Sequence, residues 1–446
     1  MMFVLGDYRI TGRGASGIAA DVESAVGAGA LRPGDALPPL RELARELAVN
    51  PNTVAAAYRL LRDRGVIETA GRRGSRIRSR PATAPRETIR IEVPAGVRDI
   101  SKGNPDTALL PPLAAALAAA AERADRSPVL YGEAPVDADL ARLARAALDA
   151  DGVPPGPVGV TSGSLDAIER VLAAHLRPGD QVAVEDPGWG SMLDLVPAMG
   201  LRAVPVAVDD EGPVTAEVRR ALRAGVRALV VTDRGQNPTG AAISADRAAE
   251  LRDLLADHRQ VLVIDDDHVN GLVDLPLHCL SAATEHWALT RSTAKAYGPD
   301  LRLAIYTGDT VTADRVRGRH RLGAGWVSHL LQRAVVQLWE TGAVDPAAVA
   351  RSYGERRDAL VAALAERGVA AHGRTGMNVW VPVSDETGAV AGLLQRGWAV
   401  APGARFRVRS APGVRLTVSP LTSADIGPLA EAVAGVLGAT GAGRYG

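Results

Sequence analysis

Apolar residues recur at two different periods along the chain, and the change of period divides it. Near the N-terminus the spacing is helical. Ile18, Val22 and Val26 stand four residues apart, and Gly27 and Gly29 end the predicted helix. After a turn at Leu31-Arg32-Pro33-Gly34-Asp35, a second helix is predicted from about Pro38 to Leu47, with Leu40, Leu43, Ala44 and Leu47 on one face. A third begins at Asn50-Pro51. Asparagine is a good N-cap, and proline at the first helical position lacks an N–H that the helix does not use. Val54, Ala57, Tyr58 and Leu61 then form an i, i+3, i+4, i+7 stripe. The stretch Gly65–Ile77 reads as a hairpin whose basic, glycine-rich tip carries Arg72 and Arg73.

Residues 80–99 show no such order. Pro81 and Pro85 interrupt them, and they read as a linker, with Ile89–Val93 alternating like a short strand. From about residue 100 to 440, short Val/Leu/Ile runs alternate with helical stretches. Strands are predicted at Val158–Thr161, Gln181–Glu185, Ala203–Val208, Ala228–Thr232, Val261–Asp265, Ala288–Arg291 and Leu303–Thr307. Helices such as Ser164–His175, Val218–Arg223 and Ala245–His258 lie between them. This alternation predicts a doubly wound α/β sheet, which binds its ligands at the carboxyl ends of its strands. A smaller α/β unit is expected over about 345–440, with a helix to Arg367, a strand at Asn378–Val383, a helix to Arg396, a strand at Val414–Val418 and a last helix. Gly438–Gly446 reads as a disordered tail. The expected division is 1–79, a linker at 80–99, and a body at 100–440.

Charge sharpens that division. The formal net charge of zero hides +5 on residues 1–80 and −5 on the remainder. A basic front end on an acidic body points to a polyanion partner for the front end. Two helices joined by a tight turn and followed by a basic hairpin make a winged helix-turn-helix. The second helix of the pair would enter the major groove by its N-terminal end, where Asn52 and Thr53 meet phosphates and base edges. Arg41, Arg72 and Arg73 would touch backbone phosphates. The alternative is a small helical cap with a solvated basic surface. Cys279 is the only cysteine, which excludes a disulfide within the chain and fits a reducing compartment. No secretory signal pattern is visible, and the least polar run, Leu109–Ala121, contains two prolines and no membrane span. A soluble, cytoplasmic protein is expected.

Candidate chemistry starts from lysine. There are two, Lys102 and Lys295, against forty-nine arginines. Arginine keeps its proton at physiological pH, whereas a lysine amine can be deprotonated and attack an aldehyde. Arg302, seven residues after Lys295, offers a planar fork suited to phosphate. Amine and phosphate anchor together suggest pyridoxal phosphate, and the alternative is an ordinary surface lysine. Thr161-Ser162-Gly163-Ser164 is a phosphate cradle or a plain glycine turn with a serine cap. Trp189, in Asp186-Pro187-Gly188-Trp189, stacks on a flat ring or fills the core. Asn237 precedes a proline, so it sits in an extended turn with its amide free to point into a cleft. Val261–Ile264 runs into Asp265, Asp266, Asp267 and His268. In extended geometry Asp266 and His268 face one side and Asp265 and Asp267 the other. A carboxylate there can pair with a protonated pyridine nitrogen, join a divalent metal site, or cap a solvated strand end.

Two resemblances tie these pieces together. Leu31–Ala44 (LRPGDALPPLRELA) with Asn52-Thr53-Val54 and Tyr58 resembles the DNA-binding domain of GntR-family regulators. Pro39 stands where that family has a small polar residue. The order Gly163-Ser164, Trp189, Asn237, Asp266, Lys295, Arg302 resembles fold-type I aminotransferases. The whole chain is thus similar to the MocR/GabR-type subfamily of GntR regulators. That resemblance implies that Lys295 is a Schiff-base lysine, that Asp266 pairs with the pyridine nitrogen, that Asn237 and His268 reach the ring oxygen, and that Trp189 stacks on the ring. Gly163, Ser164, Leu165, Ser292 and Arg302 would hold the phosphate. Tyr131 would reach a neighbouring subunit's phosphate in a homodimer, and Arg415 would receive an effector carboxylate.

Three departures bear on activity. His268 replaces the family's tyrosine. Ala294 replaces the hydroxyl residue before the lysine. The glycine that follows Tyr131-Gly132 in the family is absent from Glu133–Asp139. The expectation is a regulator that binds double-stranded promoter DNA and senses pyridoxal 5'-phosphate, or an amine or amino acid linked to it, with at most a residual transamination half-reaction. The alternatives are a working aminotransferase with a DNA-binding appendage, and a body that has lost its cofactor and only dimerises.

Overall fold

A computed structural model of the chain describes residues 10–27, 30–31, 34–63, 66–69, 74–77, 86 and 92–442. They form two compact units, one of residues 1–84 with 177–180 and 196–202, and one of the remainder. The first contains α1 (Ala15–Gly27), α2 (Leu40–Glu46), α3 (Pro51–Asp63), β1 (Ile67–Thr69) and β2 (Ser75–Ile77). The two strands pair antiparallel, with Ile67 opposite Ile77. The predicted stripe is the core: Ile18, Val22, Leu43, Val54, Ala57, Tyr58 and Leu61 are buried together. Asn50 Oδ1 accepts from the Asn52 N–H at 2.8 Å and starts α3. The buried Tyr58 hydroxyl donates to the Pro38 carbonyl at 2.8 Å, which fixes α3 against the segment leading into α2.

One expectation here is corrected. The second helix starts at Leu40 rather than Pro38, because a residue followed by proline is pushed into extended backbone. Leu40 is 39% exposed, and Leu37 of the preceding extended segment is buried in its place. Arg72 and Arg73 lie outside the described residues, as do Ile89–Ile91. Glu92 and Val93 are not in a strand; the strand comes later, as β3 (Arg98–Asp99).

The second unit continues with α4 (Ala114–Arg126) and α5 (Ala138–Ala150). Then follow β4 (Val158–Thr161), α6 (Ser164–His175), β5 (Gln181–Asp186), α7 (Gly190–Ala198), β6 (Arg202–Asp209) and β7 (Gly212–Pro213). The alternation runs on through α8 (Thr215–Arg223), β8 (Ala228–Thr232), α9 (Ala245–Ala256), β9 (Leu262–Asp267), β10 (His286–Ser292), α10 (Ala294–Tyr297) and β11 (Ala304–Gly308). The eight strands lie in the order β4-β11-β10-β9-β8-β5-β6-β7. β5, β8, β9 and β10 are parallel, and β11 runs antiparallel between β10 and β4. Every residue of β8 and β9 is buried. That is why Ala228–Val231 and Leu262–Ile264 are continuous apolar runs rather than alternating ones: helices cover both faces of a central parallel strand.

The smaller part follows α11 (Thr310–Arg321) and α12 (His329–Glu340). It comprises α13 (Pro346–Ala365), β12 (Asn378–Pro382), α14 (Glu386–Gln395), β13 (Trp398–Ala399), β14 (Ala401–Pro402), β15 (Gly413–Thr417) and α15 (Ser423–Ala442). Its sheet has the order β12-β15-β14, and β13 pairs in parallel with β3. Leu360, Val379, Leu416 and Leu429 fill a separate core. α15 continues to Ala442, past the Gly438 at which the sequence predicts order to end. Glycine weakens a helix by only about 1 kcal/mol, and the buried face of α15 outweighs that. Among the described residues no helix is long and apolar enough to cross a membrane.

Candidate cofactor and effector site

The carboxyl ends of β4, β5, β8, β9 and β10 border a cavity of about 880 Å³. Gly163, Ser164, Leu165, Trp189, Asn237, His268, Ser292, Lys295, Arg302 and Arg415 all line it. Residues as far apart in sequence as Gly163 and Arg302 are thus brought together because parallel strands present their loops at one end of the sheet, and Arg415 joins them from β15 of the smaller sheet.

Lys295 sits in α10, directly after β10. Its Nζ donates to the Gly103 carbonyl. On the neighbouring strand β9, Asp266 is buried and its Oδ2 lies 3.0 Å from His268 Nδ1. Asp266 Oδ1 is buried without a hydrogen-bond partner among the described residues. Trp189 stacks towards the His268 ring, with centroids 6.5 Å apart and planes at 26°. Trp189 and Asp266 also share a small recess with Glu185 and Thr232. Asn237 Oδ1 accepts from Arg415 Nη1 at 2.9 Å, and the Ser101 carbonyl accepts from Arg415 Nη2 at 2.7 Å. The Arg415 guanidinium lies 4.7 Å over the Phe406 ring.

The Gly163 turn lies against Arg302. Gly163 has φ +112°, a conformation that side chains resist, and a Cβ there would come within 2.9 Å of Arg302 Nη2. Arg302 itself is left-handed at φ 43°, and its Nη2 donates to the Ser162 carbonyl at 2.8 Å. Asp166 Oδ2 accepts from the Ser162 N–H at 2.9 Å and closes the start of α6. Ser164 Oγ is buried and has no partner.

The alternation of side chains along β9 settles which aspartate faces where. Asp265 Oδ2 accepts from Ser281 Oγ at 2.6 Å, and its Oδ1 from the Leu280 N–H at 2.9 Å. Asp267, fully buried, pairs with Arg234 and Arg291, each at 2.9 Å. Burial works to raise the Asp267 carboxyl, but the two guanidiniums overcome it and hold the group below the usual carboxylate range. Asp233 is raised well above that range, first by burial and then by the charges of Asp265 and Asp267. Asp265 and Asp267 are thus held by partners within the protein. Burial pushes the Glu185 carboxyl up to about 7, although Thr232 and Gln236 donate to it.

Tyr131 does not line this cavity. It is 93% exposed and meets Trp326 edge-on, ring centroids 5.6 Å apart. Arg41 and Asn52 are exposed and Thr53 half-buried, at the N-terminal ends of α2 and α3. Sequence reasoning missed Ser101, Gly103, Arg405 and Phe406, all of which line the cavity. Phe406 had a signal of the same kind as Lys295, since the chain has only two phenylalanines. Ser101 and Gly103 act through their carbonyls, for which no residue type is diagnostic.

Comparison with known proteins agrees with this architecture. Residues 96–433 match the family model "Aminotransferase class I and II", and residues 15–77 match "Bacterial regulatory proteins, gntR family". The chain is 43% identical over 432 residues to the vitamin B6 salvage pathway transcriptional repressor PtsJ of Salmonella typhimurium, covering 94% of this chain and 98% of that protein. It is 31% identical to the HTH-type pyridoxine biosynthesis transcriptional regulator PdxR of Corynebacterium glutamicum, covering 58% of this chain and 57% of that one. The kynurenine aminotransferase of Pyrococcus horikoshii shares the fold, with a TM-score of 0.69 at 20% identity over 78% of this chain and 92% of that one. With a gntR-type helix-turn-helix ahead of a class I and II aminotransferase domain, the chain belongs to the MocR/GabR-type branch of the GntR regulators.

Proposed function

We propose that the chain is a transcription regulator that binds promoter DNA through its first unit and senses pyridoxal 5'-phosphate, or an amine or amino acid joined to it, through its second. One observation carries the reading: Asp266, buried with one oxygen unpartnered, lies on the strand next to the one that delivers Lys295. An orphaned carboxylate oxygen fits a ring nitrogen that brings its own proton. The unpartnered Ser164 hydroxyl and the Gly163–Arg302 approach fit a phosphate. The cofactor, when bound, supplies an aldehyde for the lysine amine and an electron-poor ring.

The chain's own groups then divide the work. Lys295 would present its amine to the aldehyde, and Asp266 would orient the ring and favour its protonated nitrogen. Asn237 and His268 face the ring oxygen, and His268 is aligned by its bond to Asp266. Trp189 covers one ring face. Gly163, Ser164, Leu165, Ser292 and Arg302 hold the phosphate, and Arg415 receives an effector carboxylate. Arg41, Asn52, Thr53, Arg72 and Arg73 contact DNA. A second copy of the chain covers the exposed Leu130, Tyr131 and Leu322, which are 65%, 93% and 89% exposed, and Tyr131 reaches the partner's phosphate. The protein acts in the cytoplasm.

Regulation is favoured over turnover because a relative aligned along nearly the whole chain is a repressor, and because His268 and Ala294 replace groups that support transamination. Adding pyridoxal 5'-phosphate to the full chain should turn it yellow, and Lys295→Ala should stay colourless. DNA binding should fall with salt at a log–log slope of about −0.9 per phosphate neutralised. Promoter binding that survives removal of residues 1–79 would sink the proposal, as would sustained amino-group turnover.

A further inference from the structure

The segment that enters the second unit holds the cavity's cations by its backbone. The Gly103 carbonyl takes Lys295 Nζ, and the Ser101 carbonyl takes Arg415 Nη2 at 2.7 Å and Arg405 Nη1 at 3.4 Å. Val93 lines the same cavity. Further back, Arg86 is fixed to two of the cavity's walls. Its N–H donates to Asp194 Oδ2 at 2.6 Å, and its guanidinium pairs with Asp194 Oδ1 at 3.1 Å. The same guanidinium donates to the carbonyls of Arg407 at 2.9 Å and Ala404 at 3.2 Å. Asp194 lies in α7, the helix that begins after Trp189. Ala404 and Arg407 flank the cavity residues Arg405 and Phe406.

These contacts set up a competition. A bidentate carboxylate on Arg415 takes two of its N–H donors, and Asn237 and Ser101 already hold one on Nη1 and one on Nη2. A ligand that takes up the Lys295 amine draws it from Gly103. Occupancy of the cavity would therefore release the Ser101 and Gly103 carbonyls from the cations they now hold, in the segment that leads back to Arg86.

We propose that Val93–Gly103, anchored at Arg86, is the strap through which occupancy of the cavity is passed along the chain to the DNA-binding residues. Arg86 is a positioning residue: it does not line the cavity, and in sequence it stands between the strap and the helix-turn-helix. This inference rests on the reading of the chain as a ligand-responsive regulator.

The test uses the full chain, pyridoxal 5'-phosphate and a DNA duplex selected by the wild type from a random pool. The readout is the ratio of DNA affinities with and without the cofactor. In Arg86→Ala the ratio should collapse to within about twofold of one, while cofactor affinity, read by absorbance, stays within about threefold of wild type. Asp194→Asn should behave likewise, and Arg86→Lys, which keeps a cation for Asp194, should retain most of the wild-type ratio. Hydrogen exchange at the Ser101, Lys102 and Gly103 amides should speed up when the cofactor is added to wild type. A wild-type ratio preserved in Arg86→Ala and Asp194→Asn, or exchange at those amides that does not respond, overturns the strap alone. A wild-type ratio of one overturns the regulator reading, and the strap with it.

Discussion

Replacing Glu185 by glutamine should abolish a pH dependence of stability that the wild type shows between about pH 4.5 and about 7. Glu185 is the penultimate residue of β5 and shares a recess with Asp266, and burial raises its carboxyl from an ordinary value of 4.5 to about 7. Between those values the unfolded chain has lost the proton and the folded chain keeps it. The folded state binds more protons there, so stability is fully present below about pH 4.5 and drains away as pH rises through about 7. At 1.36 kcal/mol per pH unit the loss is about 3 kcal/mol, to order of magnitude. Glutamine can accept from the Thr232 N–H as Glu185 does, and its amide can turn to the Thr232 hydroxyl, so the variant should fold. The assay is urea unfolding of wild type and Glu185→Gln at pH 5 and pH 8, following tryptophan emission. The wild type should lose the stated amount from the lower pH to the higher relative to the variant. Equal losses in the two proteins would mean that Glu185 is charged in the fold at both pH values, and the burial argument would fail.

Three further outcomes follow from the packing. Asp267→Ala leaves the buried Arg234 and Arg291 without their shared carboxylate and should cost about 3–5 kcal/mol, read as a fall in the urea midpoint. Tyr58→Phe removes the buried bond to the Pro38 carbonyl and should destabilise the first unit by about 1 kcal/mol, seen as faster hydrogen exchange along α3. Gly163→Ala places a methyl against Arg302 in a backbone conformation that essentially only glycine adopts, and should destabilise the second unit by about 1–3 kcal/mol, read as a fall in the urea midpoint.

The elements most legible in sequence were those whose signal is local. β8 and β4 have the bounds that their apolar runs predict, and α6 starts at the serine after the glycine. The alternation along Asp265–His268 gave the faces correctly, because strand geometry fixes them whatever lies alongside. Partners were not legible. Asp267 is satisfied by Arg234, 33 residues away, and by Arg291, 24 residues away, and no pattern selects those arginines from forty-nine. Leu40 shows the opposite failure: its spacing was right for a buried face, but a proline pair moved the helix start and left it in water. The hold of Ser101 and Gly103 on the cavity cations escaped because peptide carbonyls look alike in every sequence.

Both lysines of the chain, Lys102 and Lys295, line the same cavity. Lys102 is paired at its mouth with Asp99 at 3.0 Å, its side chain 60% exposed. Apart from the α-amino group, an amine-directed reagent therefore has no target on the rest of the surface. A protease that cuts after lysine divides the chain into three fragments, and a group fixed on Lys295 abolishes one of the two cuts. Counting fragments by mass would then report occupancy of that single residue in a crude mixture, without a colour change or a purified sample.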